Sequence, residues 1–247
     1  MSKTAIVTGA SSGIGKAIAE SLLEQSCEVF NFDLRPPEES SQIHFVECNV
    51  CEEDQVSKAV NTVKEKTGRV DVLVNNCGLQ FMAPIDEFPK EKWDLLINVL
   101  LTGTFLCSRE AYKVMKENGY GRIINISSVH GKLASPFKAA YVAAKHGVLG
   151  LAKVIAVEGA EHGITVNTIC PGFVDTPLMR KQVASQMELN NLSEEEVLSQ
   201  IFLKAQNVKK LTSTNQVASM LKYLISDDAQ TITGEAFNIS GGWGMGL

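Results

Sequence analysis

Apolar positions along the chain alternate between two rhythms. Short β-branched or aromatic runs at Thr4–Thr8, Glu28–Phe32, Ile43–Glu47, Val70–Val74, Arg122–Ser127, Ile164–Ile169 and Ala236–Ile239 read as strands. Between them, stretches of helical period span Gly15–Gln25, Glu52–Lys66, Glu91–Glu117, Tyr141–Glu161 and Asn215–Ser226. Strand-then-helix repetition predicts an α/β fold: a doubly wound, Rossmann-type parallel sheet of seven strands with helices on both faces. No repeat or Pro/Gly-rich linker divides residues 1–247, so a single domain is expected. The polar stretch from Pro177 to Gln206 breaks the alternation and is expected to be a small helical lid over a site.

Composition narrows the function. A net charge of −5 and the absence of a Lys/Arg stripe leave no electrostatic footprint for nucleic acid. No run near Ser2 is long enough for a signal segment and none approaches membrane-spanning length, so a cytoplasmic protein without membrane partners is expected. Six cysteines are scattered; Cys48 and Cys51 form a C-x-x-C spacing but lack a second ligand pair, so the reading is buried thiols and no metal.

The first strand runs directly into Thr8-Gly9-Ala-Ser-Ser12-Gly13-Ile14-Gly15, which opens the first helix. Gly9 suits the tight turn, Gly13 the close approach of a pyrophosphate, and Gly15 close helix–strand packing, with free N–H groups at the helix start to receive the phosphates. A glycine loop in strand–turn–helix context predicts dinucleotide binding. Asp33 ends the second strand, where a carboxylate can accept both ribose hydroxyls and repels a 2′-phosphate; this favours NAD over NADP, with Arg35 the counter-signal.

Three residues separate the first two glycines, and this G-x-x-x-G-x-G form resembles the short-chain dehydrogenase/reductase family over the whole chain. The resemblance implies further cofactor contacts from Asn49 and Val50, from Asn76 and Gly78, and from Pro171, Gly172, Val174 and Thr176. It also matches Ser128, Tyr141 and Lys145 to the family's catalytic serine and Tyr-x-x-x-Lys, with Tyr141 thirteen positions after Ser128. The chemistry is coherent: Tyr141 and Lys145 share a helix face, and a neighbouring ammonium favours the phenolate of a group that otherwise titrates near ~10. Tyr141 would exchange a proton with substrate while hydride moves, Ser128 would bond the reacting oxygen, and Lys145 would hold the nicotinamide ribose. One position departs from the family pattern: Leu100 stands where the family has an asparagine whose bound water links the lysine to solvent.

Several stretches are similar to the family's 3-hydroxybutyrate dehydrogenases, among them Glu87–Trp93 and Gly241–Trp243. There the substrate carboxylate is held by four side chains that correspond to Gln80, His130, Lys138 and Gln182, a cation with neutral donors. The resemblance implies a small 3-hydroxy acid as substrate and a homotetramer. The competing expectations are a reductase of 3-oxoacyl thioesters, another short-chain alcohol dehydrogenase and, because of Leu100, a weakly catalytic dinucleotide-binding regulator.

Overall fold

The computed structural model describes residues 2–37 and 42–246. Seven strands form one parallel sheet in the order β3-β2-β1-β4-β5-β6-β7. These are β1 (Thr4–Thr8), β2 (Glu28–Asp33), β3 (His44–Glu47), β4 (Val72–Asn75), β5 (Gly121–Ile126), β6 (Ile164–Pro171) and β7 (Ala236–Ile239). The helices are α1 (Gly13–Glu24), α2 (Glu53–Thr67), α3 (Lys90–Ile97), α4 (Gly103–Asn118), α5 (Ala139–Gly159), α6 (Pro177–Asn190), α7 (Glu194–Val197) and α8 (Thr214–Leu224).

Strand alternation sorts the core into two layers. Ala5, Val7, Val72, Val74 and Ile124 face α1 and α8, meeting Ile18, Leu22, Val217 and Leu221. Ile6, Phe30, Leu73 and Ile123 face α2, α4 and α5, meeting Val56, Val60, Ala111 and Ala156. Chain order reverses between β1 and β4, so the crevice of a doubly wound sheet opens there, beyond the carboxyl ends of the strands.

The long helix expected over Glu91–Glu117 is interrupted. Between α3 and α4, Asn98–Thr102 widens to i→i+5 pairing. A five-residue change of pitch leaves no trace in a 3.6-residue apolar pattern, which is why the sequence reads as unbroken. The Leu100 carbonyl accepts the Thr104 hydroxyl at 2.9 Å, and the Leu100 side chain is buried with Leu96, Ala140 and Ala144.

A second difference concerns Ala139–His162, which is long and apolar enough by length and composition to cross a membrane, where no such stretch was expected. In the fold Ala144, Lys145, Val148, Ala152 and Ala156 turn inward, and the helix packs on β6. The expected lid region is helical, with an apolar cluster of its own: Met179 and Val183 on α6, Val197 on α7, and Phe202.

Candidate active site

The glycine loop is built by steric necessity. Gly9 and Gly13 have φ of +69° and +57°, and a Cβ on Gly15 would lie 2.2 Å from the Gly9 carbonyl oxygen. Two asparagines fix this loop. The Asn76 side-chain amide donates to the carbonyls of Thr8 and Gly9 at 3.0 and 3.1 Å. Asn31, fully buried in β2, accepts from the Ala10 N–H at 2.9 Å and donates to the Ser11 hydroxyl at 2.9 Å. Its role was missed from sequence, although an asparagine inside an otherwise apolar strand is the kind of signal that marks a buried tie.

Beside the loop runs a cavity of about 450 Å³, within the range of cofactor sites. Gly9, Ser12, Gly13 and Ile14 line it at one end with Asp33, Asn49 and Val50; Asn76, Gly78, Tyr141, Lys145 and Thr176 continue the wall. Gly15 lies behind the loop as a packing contact. Helix α1 starts at the cavity with no side-chain cap on its first N–H groups, leaving those donors and the positive end of the helix dipole for an anion. Asp33 accepts from the Leu34 N–H at 2.8 Å and the Ser11 N–H at 3.3 Å. These features fit a dinucleotide, the glycine turn and helix start taking phosphates and Asp33 a sugar hydroxyl pair.

A second, smaller cavity of about 140 Å³ adjoins the first. Ser128, Tyr141, Pro171, Gly172, Val174 and Thr176 line it, and so do all four side chains expected around a carboxylate, Gln80, His130, Lys138 and Gln182. The Gln80 Nε2 is buried without a hydrogen-bond partner among the described residues. Phe173 and Trp243, not anticipated as site residues, stack at 5.4 Å between ring centres, and Lys138 Nζ lies 6.0 Å from the Phe173 ring. Trp243 follows β7 and is far in sequence from His130 and Phe173, whose rings it meets, so its place at the site depends on the tertiary fold.

At the junction of the two cavities, Tyr141 and Lys145 occupy one face of α5, with Lys145 Nζ 5.7 Å from the Tyr141 ring. Lys145 donates to the Ile126 carbonyl at 2.7 Å. Burial pushes its pKa down to about 8. Burial also raises the Tyr141 phenol, against the pull of a hydrogen bond from the Ser128 hydroxyl. A phenolate favoured by the neighbouring ammonium is the expectation from sequence; in the fold desolvation holds the phenol above its ordinary value. His130 is buried, and burial drives its pKa down to about 4, with Lys138 and His146 adding to the effect. Burial likewise lowers Lys138.

A family model described as short chain dehydrogenase matches residues 3–187. The chain belongs to the short-chain dehydrogenase family. Along 98% of its length it is 43% identical to D-beta-hydroxybutyrate dehydrogenase of Rhizobium meliloti, covering 99% of that protein. It is 35% identical to the enzyme of the same name from Cupriavidus necator, over 98% of this chain and 97% of that one. Its fold superimposes with a TM-score of 0.91 on an actinorhodin polyketide ketoreductase variant solved with NADPH, at 35% identity over 99% of this chain and 98% of that one. The chain is therefore an oxidoreductase of this family with a dinucleotide-binding fold.

Proposed function

We propose that the protein interconverts 3-hydroxybutyrate and acetoacetate with NAD. The observation that carries this reading is the small cavity beside Tyr141, where the buried, unpaired Gln80 Nε2 faces the same space as Lys138, His130 and Gln182. A half-buried ammonium with neutral donors suits a short carboxylate through charge-assisted hydrogen bonds. The cavity's 140 Å³ suits a small molecule, and Phe173 with Trp243 supplies an apolar wall for a methyl group.

When bound, the dinucleotide accepts or returns hydride at the substrate's hydroxyl-bearing carbon. Tyr141 takes the hydroxyl proton as hydride leaves, and gives it back in reduction. Ser128 hydrogen-bonds the reacting oxygen. Lys145, a buried cation one helical turn from Tyr141, favours the phenolate and holds the nicotinamide ribose. Asp33 selects NAD by excluding a 2′-phosphate, and the segment from Pro177 to Gln206 covers the substrate. The six free thiols suit a reducing cytoplasm.

The polyketide ketoreductase likeness favours a second reading, reduction of 3-oxoacyl thioesters with NADPH. Such a substrate has no carboxylate beside its reacting carbon and leaves Lys138 without a purpose. The deciding experiment compares acetoacetate with a 3-oxoacyl thioester as oxidant of NADH and NADPH. Acetoacetate with NADH is expected to win. Lys138→Ala is expected to raise KM for 3-hydroxybutyrate by roughly ten- to a hundredfold, the worth of one charged hydrogen bond. An unchanged KM would remove the carboxylate assignment.

A further inference from the structure

Gln206 lies fully buried where the lid segment rejoins the body of the molecule, and takes no part in the proposed chemistry. Its amide is the meeting point of three stretches of chain. Oε1 accepts from the Phe173 N–H at 3.3 Å, in the turn that follows β6. Nε2 donates to the carbonyls of Val208 and Lys210 at 3.3 and 3.1 Å, which wraps residues 206–210 around the amide. The third stretch is the one that leads to Trp243. Gly241 lies against the amide, since a Cβ there would be 2.8 Å from Nε2, and its carbonyl accepts from the Asn207 and Val208 N–H groups at 2.8 and 2.9 Å. The same segment holds the Phe173 carbonyl, which accepts from the Thr212 N–H at 2.9 Å. Glutamine suits all of this. Asparagine is one methylene shorter, and glutamate has no proton for the two carbonyls.

We propose that Gln206 is a positioning residue for substrate size, fixing through one amide where the Phe173 and Trp243 rings close the small cavity. The inference rests on the reading of that cavity as the substrate site. Both rings line it, and they stack 5.4 Å apart at 23°. A phenyl ring has no polar atom to hold it, so its backbone and its neighbours set its place. For Phe173 the N–H goes to Gln206, and the ring meets Phe202 of the lid at 5.2 Å as well as Trp243. For Trp243 the chain leaves the amide at Gly241, two residues earlier, and the Ser240 hydroxyl closes the turn by donating to the Trp243 carbonyl at 2.7 Å. Without the amide, one N–H and two carbonyls are left inside the protein without these bonds, and the segment must move to recover them. The wall moves with it, because Gly172 and Gly241 both pack directly on the amide. A shift on the order of 1 Å is consequential at such a site, where one methylene in an apolar pocket changes selectivity by roughly ten- to two-hundredfold. Gln206 lines neither cavity, so it acts through the two rings and not on the substrate.

Gln206→Met is the direct test, because it keeps the length and bulk of the side chain and removes the amide. Measured on the whole enzyme with NAD, kcat/KM for 3-hydroxyhexanoate relative to that for 3-hydroxybutyrate is expected to rise at least about tenfold. The change should come through a higher KM for the shorter acid, while the Kd for NADH stays within about twofold. Gln206→Asn keeps the amide but draws it back by one methylene; it should move the ratio the same way, and it decides the matter if the Met variant does not fold. Trp243 gives a readout that needs no turnover. The chain has two tryptophans, so in a Trp93→Phe background the indole emission reports on Trp243 alone, and loss of the amide should shift it to the red. An unchanged substrate ratio or an unshifted emission overturns the proposal. So does an equal loss for both acids with weakened NADH binding, the mark of a merely structural role. Phe173→Ala separates this from the underlying reading. A wild type inert toward both acids, or a Phe173→Ala enzyme with the wild-type ratio, sinks the substrate site itself. A raised ratio in Phe173→Ala beside a wild-type ratio in both Gln206 variants sinks only the role of Gln206.

Discussion

His130 shows how burial decides what a side chain can do. An exposed histidine titrates near ~6.5; here desolvation first, then Lys138 and His146, hold the folded-state value at about 4. The ring's other neighbours, Ser128, Ser135, Tyr141 and Trp243, bring no negative charge to stabilise a cation. The unfolded chain therefore binds a proton that the folded chain refuses between those two values. Stability from this group is complete above about pH 6.5 and is lost as pH falls toward 4, by roughly 2–3 kcal/mol for a buried ring with a shift of this size. Urea unfolding at pH 7 and pH 4.5 checks it: wild type should lose about that much more stability on acidification than His130→Phe. Parallel losses in the two proteins would refute it. Lys145 obeys the same cause with the same sign of charge at stake, since burial brings an ammonium down to about 8.

Elements were more legible than their joints. Parallel strands buried on both faces read as apolar runs, and all seven emerge where the pattern put them, with shifts of a residue or two such as Val72–Asn75 for Val70–Val74. Ser128, Tyr141 and Lys145 were legible because their spacing survives from sequence to space. The tie of Asn31 to the glycine loop and the approach of Trp243 were not, because each depends on where two separate parts of the chain come to rest. Glycine illustrates the same contrast. Gly15 in α1 meets the Gly9 carbonyl and the Asn76 amide, 2.2 and 2.5 Å from a would-be Cβ, whereas a Cβ on Gly150 in α5 meets nothing within 4 Å. Gly15→Ala should force the loop apart, costing on the order of 1–3 kcal/mol as overpacking does and weakening dinucleotide binding at least about tenfold. Gly150→Ala should instead stabilise by roughly 0.5–1 kcal/mol, the ordinary helix preference for alanine. Thermal melts and cofactor titrations of the two variants should move in opposite directions; a tight-binding Gly15→Ala protein would show that the close approach is dispensable.

Across the whole molecule, the sheet gathers residues from all seven of its strand ends and following loops into one crevice, and leaves an unusual surface elsewhere. On α5 the outward positions Val154 and Val157 are 54% and 79% exposed, and on α4 Phe105 is 42% exposed. A helix whose inner side already packs on β6 gains nothing intramolecularly from apolar residues on its outer side. Exposed apolar positions grouped on adjacent helices mark an association surface, and the homotetramer implied by the family resemblance would bury them against copies of the same helices. Closed symmetry makes such contacts self-complementary, so each substitution acts at every equivalent interface at once. Val157→Asp combined with Val154→Asp places two charges where apolar contact is needed, and light scattering behind size exclusion should register a smaller assembly than the wild type. The active-site crevice lies at the strand ends, away from this surface, so the smaller species should keep its dinucleotide affinity. An unchanged mass would exclude the outer face of α5 as the interface and direct attention to β7, whose outer edge is unpaired within the chain among the described residues.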